Sequence, residues 1–226
     1  MIDWREIDTL LLDMDGTVLD LAFDNFFWLE LLPQQLSQAR GISVDEAVAE
    51  MRAQTARVYG SLQWYCIDHW SEQLELDVAA IKHASRHRIG YLPGALGFLQ
   101  AARALGLRLV IVTNAHRRTL AIKSAQTHLE RYVDAVYSSH DYGHPKESGE
   151  FWALFEPHSG LDRKRSVLVD DSAPVIAAAR DFGLGGTVTV TRPDSGLPGR
   201  PVSGGPSVAA LAELDAPLRA SRNVAG

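Results

Sequence analysis

Five short apolar runs punctuate the chain: TLLLD at 9–13, RLVIVT at 108–113, DAVYSS at 134–139, SVLVDD at 166–171 and TVTVT at 187–191. They are nearly continuous rather than alternating, the pattern of strands buried on both faces. Between them, apolar positions recur at helical spacing in PGALGFLQAARALG, AHRRTLAIKSAQTHL, ESGEFWALFEPH and APVIAAARDFG, the first with a proline start and a glycine stop. Strands that alternate with helices predict an α/β, doubly wound core with a parallel five-stranded sheet.

Residues 20–91 break the alternation. They carry no strand pattern but four helical ones, around 24–38, 43–59, 62–74 and 77–88, the second opening on Ser43 and Glu46 as a capping box. Such a stretch is too long for a simple crossover. It predicts an inserted all-helical cap domain over 20–91, on a core made of 1–19 and 92–226. The proline- and glycine-rich stretch PDSGLPGRPVSGGPS (193–207) reads as irregular loop, and residues 218–226 as disordered.

Composition narrows the function classes. The chain has 226 residues, 46% of them hydrophobic, enough for a full core without disulfides. Its single cysteine, Cys66, excludes an intrachain bridge and suits a reducing compartment, so a cytoplasmic protein is expected. A formal net charge of -6 argues against a grip on nucleic-acid polymers. No window of apolar residues is long enough to span a membrane, and no secretion signal is indicated.

The chemistry concentrates at strand ends, where ligands bind in sheets of this kind. Asp13 and Asp15 follow the first run in DMDGT; Thr113 and Asn114 follow the second; Lys146 stands in HPKE; Asp170 and Asp171 close VLVDDS. Two carboxylates as close as Asp13 and Asp15 ask for a cation, a shared proton or both. Taken singly, each element has a plain structural reading: Thr113, Asn114, Asp170 and Asp171 as helix caps, Lys146 as a surface charge. Their joint order outweighs those readings. Lysine is scarce, four against 18 arginines, so a Lys at 146 suits a compact point charge better than a planar fork.

In this order the motifs resemble those of the haloacid dehalogenase-like phosphatases, from about residue 7 to 195. The resemblance implies Asp13 as nucleophile, Asp15 as acid and base, and Lys146, Thr113 and the amide of Asn114 on the phosphoryl oxygens. Gly16 would let the chain turn beside the phosphate, and Thr17 would bond within that turn. Mg²⁺ would be held by Asp13, the backbone carbonyl of Asp15, and Asp170 or Asp171, the latter favoured as the direct ligand.

A narrower resemblance runs through LLDMDGTVLDLAFDNFFW, WYCIDHWSEQL, TNAHRRTLAIK, YGHPKE and VDDS to the bacterial purine mononucleotide phosphatases of that superfamily, the GMP/IMP 5′-nucleotidase type. It implies a small phosphate monoester as substrate. In the insert, Trp28, Trp64 and Tyr65 either pack a core or stack a base, and Asp24 and Asn25 either contact a polar substrate or cap the first helix. A sugar-phosphate phosphatase or phosphomutase would share the same core residues. A signalling receiver lacks so large an insert, and a pure binding module leaves Asp15 without a task.

Overall fold

In the computed structural model, which describes residues 2–202 and 204–222, the five apolar runs are strands: β1 (Thr9–Leu12), β2 (Arg108–Thr113), β3 (Ala135–Ser138), β4 (Ser166–Asp170) and β5 (Gly186–Val190). With a further strand, β6 (Ser207–Val208), all pair in parallel in the order β3-β2-β1-β4-β5-β6. The sheet therefore has six strands where the sequence predicts five. β6 (Ser207–Val208) has two residues, at the end of the stretch read as irregular. No apolar run announces it. It exists because β5 leaves an edge to pair: the Thr189 amide donates to the Pro206 carbonyl at 3.0 Å and the Thr191 amide to Val208 at 2.8 Å.

The chain between β1 and β2 is helical: α1 (Ala22–Phe26), a π-helical turn (Phe27–Leu31), α2 (Leu32–Arg40), α3 (Val44–Val58), α4 (Leu62–Tyr65), α5 (Ile67–Leu74), α6 (Val78–Ala84), a 3₁₀ turn (Arg86–Arg88) and α7 (Ala95–Ala104). The Ser43–Glu46 capping box forms: Glu46 N donates to Ser43 Oγ at 3.2 Å and Ser43 N to Glu46 Oε2 at 2.8 Å. The pattern at 24–38 contains the π turn, where the Leu32 amide bonds back to the Phe27 carbonyl just ahead of Pro33, which has no amide to offer. The single helix expected at 62–74 is two helices. Extended backbone at Cys66 (φ -86°, ψ 109°) separates them, and its Sγ accepts from the His69 amide.

The other helices are α8 (Arg117–Thr127), α9 (Gly149–Ser159), α10 (Ala173–Phe182) and α11 (Asp215–Arg222). Side chains alternate across the sheet. Leu10, Leu12, Leu109, Ile111, Val167 and Val169 share one core with residues of α7, α8, α11 and the helical segment, including Phe23, Phe27, Trp70 and Val78. Leu11, Val110, Val112 and Leu168 share the other with Phe151, Trp152 and Phe155 of α9 and Val175 and Ile176 of α10. Both faces are dry, which is why the strands read as continuous apolar runs.

The disorder expected from residue 218 is corrected by α11. Leu218 is fully buried with Leu211 and Leu214 in the first core; residues 223–226 lie outside the described residues. The chain enters and leaves the helical segment through paired backbone: Leu19 bridges Tyr91, Asp20 N donates to Gly90 at 2.9 Å and Leu92 N to Val18 at 3.0 Å. Among the described residues no helix is long and apolar enough to cross a membrane.

Candidate active site

The strand order reverses between β1 and β4, and at their carboxyl ends the chain places Asp13, just past β1, and Asp170, the last residue of β4. Asp13 N bonds to the Val169 carbonyl at 2.9 Å, extending the ladder by one residue and fixing the Asp13 backbone. Between the two carboxylates stands Lys146, 2% exposed. Its ammonium donates to Asp13 Oδ1, to Asp170 Oδ2 at 2.7 Å and to the Val112 carbonyl at 2.9 Å, using all three protons. Lysine alone offers three donors from one point.

The loop carrying Lys146 is tied at several atoms. Lys146 N donates to Asn114 Oδ1 at 2.9 Å, Asn114 Nδ2 to Glu147 Oε2 at 2.9 Å, and Trp152 Nε1 to the Lys146 carbonyl at 2.8 Å. Tyr65, from α4, donates its hydroxyl to Glu147 Oε1 at 2.5 Å. The side chain of Asn114 is thus spent on positioning the lysine. Thr113 Oγ1 accepts from the Ala115 amide at 3.0 Å and does not cap α8, whose N-cap is His116.

Asp170 Oδ1 accepts from the Ser172 amide at 2.8 Å, so both oxygens of Asp170 are engaged. Asp171 is freer: among the described residues its ion pair is with Arg200 at 3.5 Å. Asp13, Asp170 and Asp171 each place a carboxylate oxygen within 4.8 Å of the other two. Burial raises the Asp13 carboxyl well above its ordinary range; Lys146 opposes this, while Asp170, Asp171 and Asp15 add to it. Burial and the charge of Asp170 push Asp171 up to about 7. Hard oxygen donors that repel one another in a dry pocket fit a divalent cation of the Mg²⁺ type.

Gly16 has φ +83°, and a Cβ there would lie 2.8 Å from Pro193 Cβ and 2.9 Å from Asp171 Cγ. Both conformation and space demand glycine, and the turn brings Asp171 against the DMDGT loop. Thr17 is fully buried, but its Oγ1 has no hydrogen-bond partner among the described residues, so the bond expected within the turn is not made.

Asp15 points to a second lysine. Lys123 of α8 donates to Asp15 Oδ1 and Asp24 Oδ2, each at 2.5 Å, and Lys82 of α6 donates to Asp24 Oδ1 at 2.8 Å. Burial raises the Asp15 carboxyl, with Lys123 opposing. Burial works against ionised Asp24, yet Lys123 and Lys82 hold it at about 2. Asp24 therefore neither caps α1 nor stands free; the Ala22 amide bonds instead to Asp20. Asn25 donates to Asp194 Oδ2 at 2.7 Å, tying α1 to the 193–196 loop.

The structure brings Asp13, Asp170, Asp171, Gly16, Lys146 and Asn114 into one connected group and links Tyr65 to it through Glu147. Trp28 packs on Phe27 and Trp70 with Lys82 5.2 Å from its ring, and Trp64 lies 4.8 Å from Tyr65. Sequence reasoning missed Lys82, Lys123, Glu147 and Asp194. A signal for the lysines was present: the scarcity that singles out Lys146 applies equally to Lys82 and Lys123, both 1% exposed.

Comparison with known proteins agrees with this geometry. A family model described as haloacid dehalogenase-like hydrolase matches residues 7–183. The chain is 41% identical over 196 residues to the GMP/IMP nucleotidase YrfG of Escherichia coli (strain K12), covering 87% of this chain and 88% of that protein, with the same figures for the Shigella flexneri protein of that name. Among solved structures, a HAD phosphatase from Thermococcus onnurineus superposes with a TM-score of 0.77 at 23% identity. An L-2-haloacid dehalogenase from Xanthobacter autotrophicus superposes at 0.65 and 18%. Each structural match covers 94% of this chain and 98% of the other, and is a likeness of fold. With the family's sequence pattern spanning sheet and site together, the chain belongs to the haloacid dehalogenase-like hydrolases.

Proposed function

We propose that this hydrolase removes phosphate from purine nucleoside 5′-monophosphates, guanosine and inosine forms foremost, through an aspartyl phosphate on Asp13. It is a phosphoric monoester hydrolase, and its 41% identity to a GMP/IMP nucleotidase supports the nucleotide class. The observation that carries the reading is Lys146 held between Asp13 and Asp170. A buried ammonium beside a buried carboxylate, at the strand ends of the switch point, presents positive charge where a phosphoryl group would meet its nucleophile.

Asp13 attacks phosphorus in line; the P–O bond to the nucleoside breaks and the departing oxygen takes a proton from Asp15. Asp15 then accepts a proton from the water that opens the aspartyl phosphate. Its raised pKa suits the first of these tasks. Lys146, the Thr113 hydroxyl and the backbone amide of Asn114 orient the phosphoryl oxygens. Asp13, Asp171, Asp170 and the Asp15 carbonyl would hold Mg²⁺, which supplies charge that offsets the negative charge of the phosphoryl oxygens. Asp171, with the freer oxygens, is assigned as a direct ligand.

The helical segment, 20–91, is assigned as a cap over a core of 1–19 and 92–226. Within it, Trp64 and Tyr65 are assigned to the base, while Trp28 and Asp24 support the buried lysines. A single cysteine suits the reducing cytoplasm.

The test compares kcat/KM for GMP, IMP, pyrimidine 5′-monophosphates and small sugar phosphates. Stacking contributes roughly 1 to 3 kcal/mol per base, so purines are expected about tenfold to a hundredfold ahead. Chelation is expected to abolish turnover and Mg²⁺ to restore it. Sugar phosphates outrunning purine nucleotides would replace the nucleotidase reading with a sugar-phosphate phosphatase.

A further inference from the structure

A second group of ligand-type side chains lies beside Asn114 and takes no part in phosphoryl transfer. Cys66 stands between α4 and α5, His116 caps α8, and His140 follows β3. Each places one ligand atom within 4.8 Å of the other two. The two imidazoles meet edge to face with centroids 4.9 Å apart.

His140 Nε2 is buried and has no hydrogen-bond partner among the described residues. A buried polar atom without a partner is costly and asks for an explanation. In the neutral ring, an Nε2 without a hydrogen-bond partner can present its lone pair to a metal ion. Asp68 stands 3.8 Å from His116 Nε2 and is itself held by Arg118 at 2.5 Å.

We propose that Cys66, His116 and His140 form a site for a borderline-soft divalent cation of the zinc type, separate from the carboxylate site, that ties the helical segment to the loops after β2 and β3. One sulfur and two imidazole nitrogens suit zinc and discriminate against magnesium, whose preference is for oxygen. Binding releases the thiol proton and leaves a fourth position for water or for Asp68. Cys66 comes from the helical segment and both histidines from the sheet's loops, so an occupied site is a cross-link between them.

The experiment titrates the full chain with Co²⁺ in excess Mg²⁺, which fills the carboxylate site. The expected result is one Co²⁺ per chain with a thiolate-to-cobalt charge-transfer band, displaced by Zn²⁺. Cys66→Ser is expected to lose the band and bind at least about tenfold more weakly. Serine is a good N-cap, so this variant keeps the start of α5, and circular dichroism checks that it does. His140→Gln is the second variant, expected to weaken binding while keeping the thiol. Cobalt bound without the charge-transfer band, or with the same affinity in both variants, would overturn the site. Hydrogen exchange of residues 62–74 is expected to slow on adding Zn²⁺ to wild type and not to Cys66→Ser; exchange indifferent to zinc in wild type would overturn the cross-link.

Discussion

Lys82, Lys123 and Lys146 are each at most 2% exposed, and each ends on carboxylates rather than in water. Buried charge is tolerated only when paired, and removing one partner strands the other. Asp24→Asn, which leaves Lys82 and Lys123 with one acceptor fewer in charge, is expected to destabilise the fold by about 3 to 5 kcal/mol in denaturant titration. The pH dependence follows from the depressed carboxyl. Its folded pKa of about 2 lies below the unfolded 3.8, so the unfolded chain binds more protons between those values. The contribution is fully present above pH 3.8 and is lost as pH falls through 2, and the gap between variant and wild type is expected to narrow there. Asp13 is the opposite case. Burial raises its carboxyl, so charge at this position opposes folding at neutral pH. Asn keeps an Oδ1 for Lys146, so Asp13→Asn is expected to be as stable as wild type or more so, while kcat falls by roughly a thousandfold or more. Near-normal turnover in that folded variant would refute Asp13 as nucleophile.

At the scale of elements, the joins carry as much as the elements themselves. Cys66 breaks one helical pattern into α4 and α5, and that break turns Tyr65 towards Glu147 and exposes the thiol to two histidines. The Gly16 turn brings Pro193 and Asp171 together. α11 closes the first core from the end of the chain, with Leu218 wholly buried. Truncating a buried leucine costs about 2 to 5 kcal/mol, so Leu218→Ala is expected to lower stability by that amount in thermal or chemical unfolding. A change within about 0.5 kcal/mol, typical of surface sites, would show that α11 does not belong to the core.

For the molecule as a whole, the question is how the helical segment and the sheet work together. They share one hydrophobic core, are joined by the backbone pairs at 18–20 and 90–92, and meet again at Tyr65 and Glu147. The Tyr65 bond to Glu147 ties the helical segment to the residue that follows Lys146. A hydrogen bond to a charged group contributes about 1.5 to 3 kcal/mol. Tyr65→Phe removes it without altering the ring, and is expected to raise KM for nucleotides about tenfold or more with a smaller change in kcat. An equal fall in kcat with KM unchanged would show that the hydroxyl acts on the chemical step and not on holding the segment in place.

The apolar runs alone determined five of the six strands, their parallel arrangement and both helix layers, because burial on two faces leaves a continuous signature in sequence. The DMDGT, TNA, HPKE and VDDS motifs likewise announced Asp13, Lys146, Asp170 and Asp171, since each follows a strand and strand ends converge on one edge. β6 was decided by the tertiary structure, for an edge pair of two residues needs a neighbour and not a pattern. So was the helical state of 218–222, whose leucine is apolar only to some purpose once α7 stands beside it. The lysine-linked chain from Asp15 through Lys123 and Asp24 to Lys82 spans residues 15 to 123. Ion pairs of such sequence separation are invisible to any local reading. Only the packing of α1, α6 and α8 against the DMDGT loop brings those charges together, because a buried charge is tolerated only where an opposite one meets it.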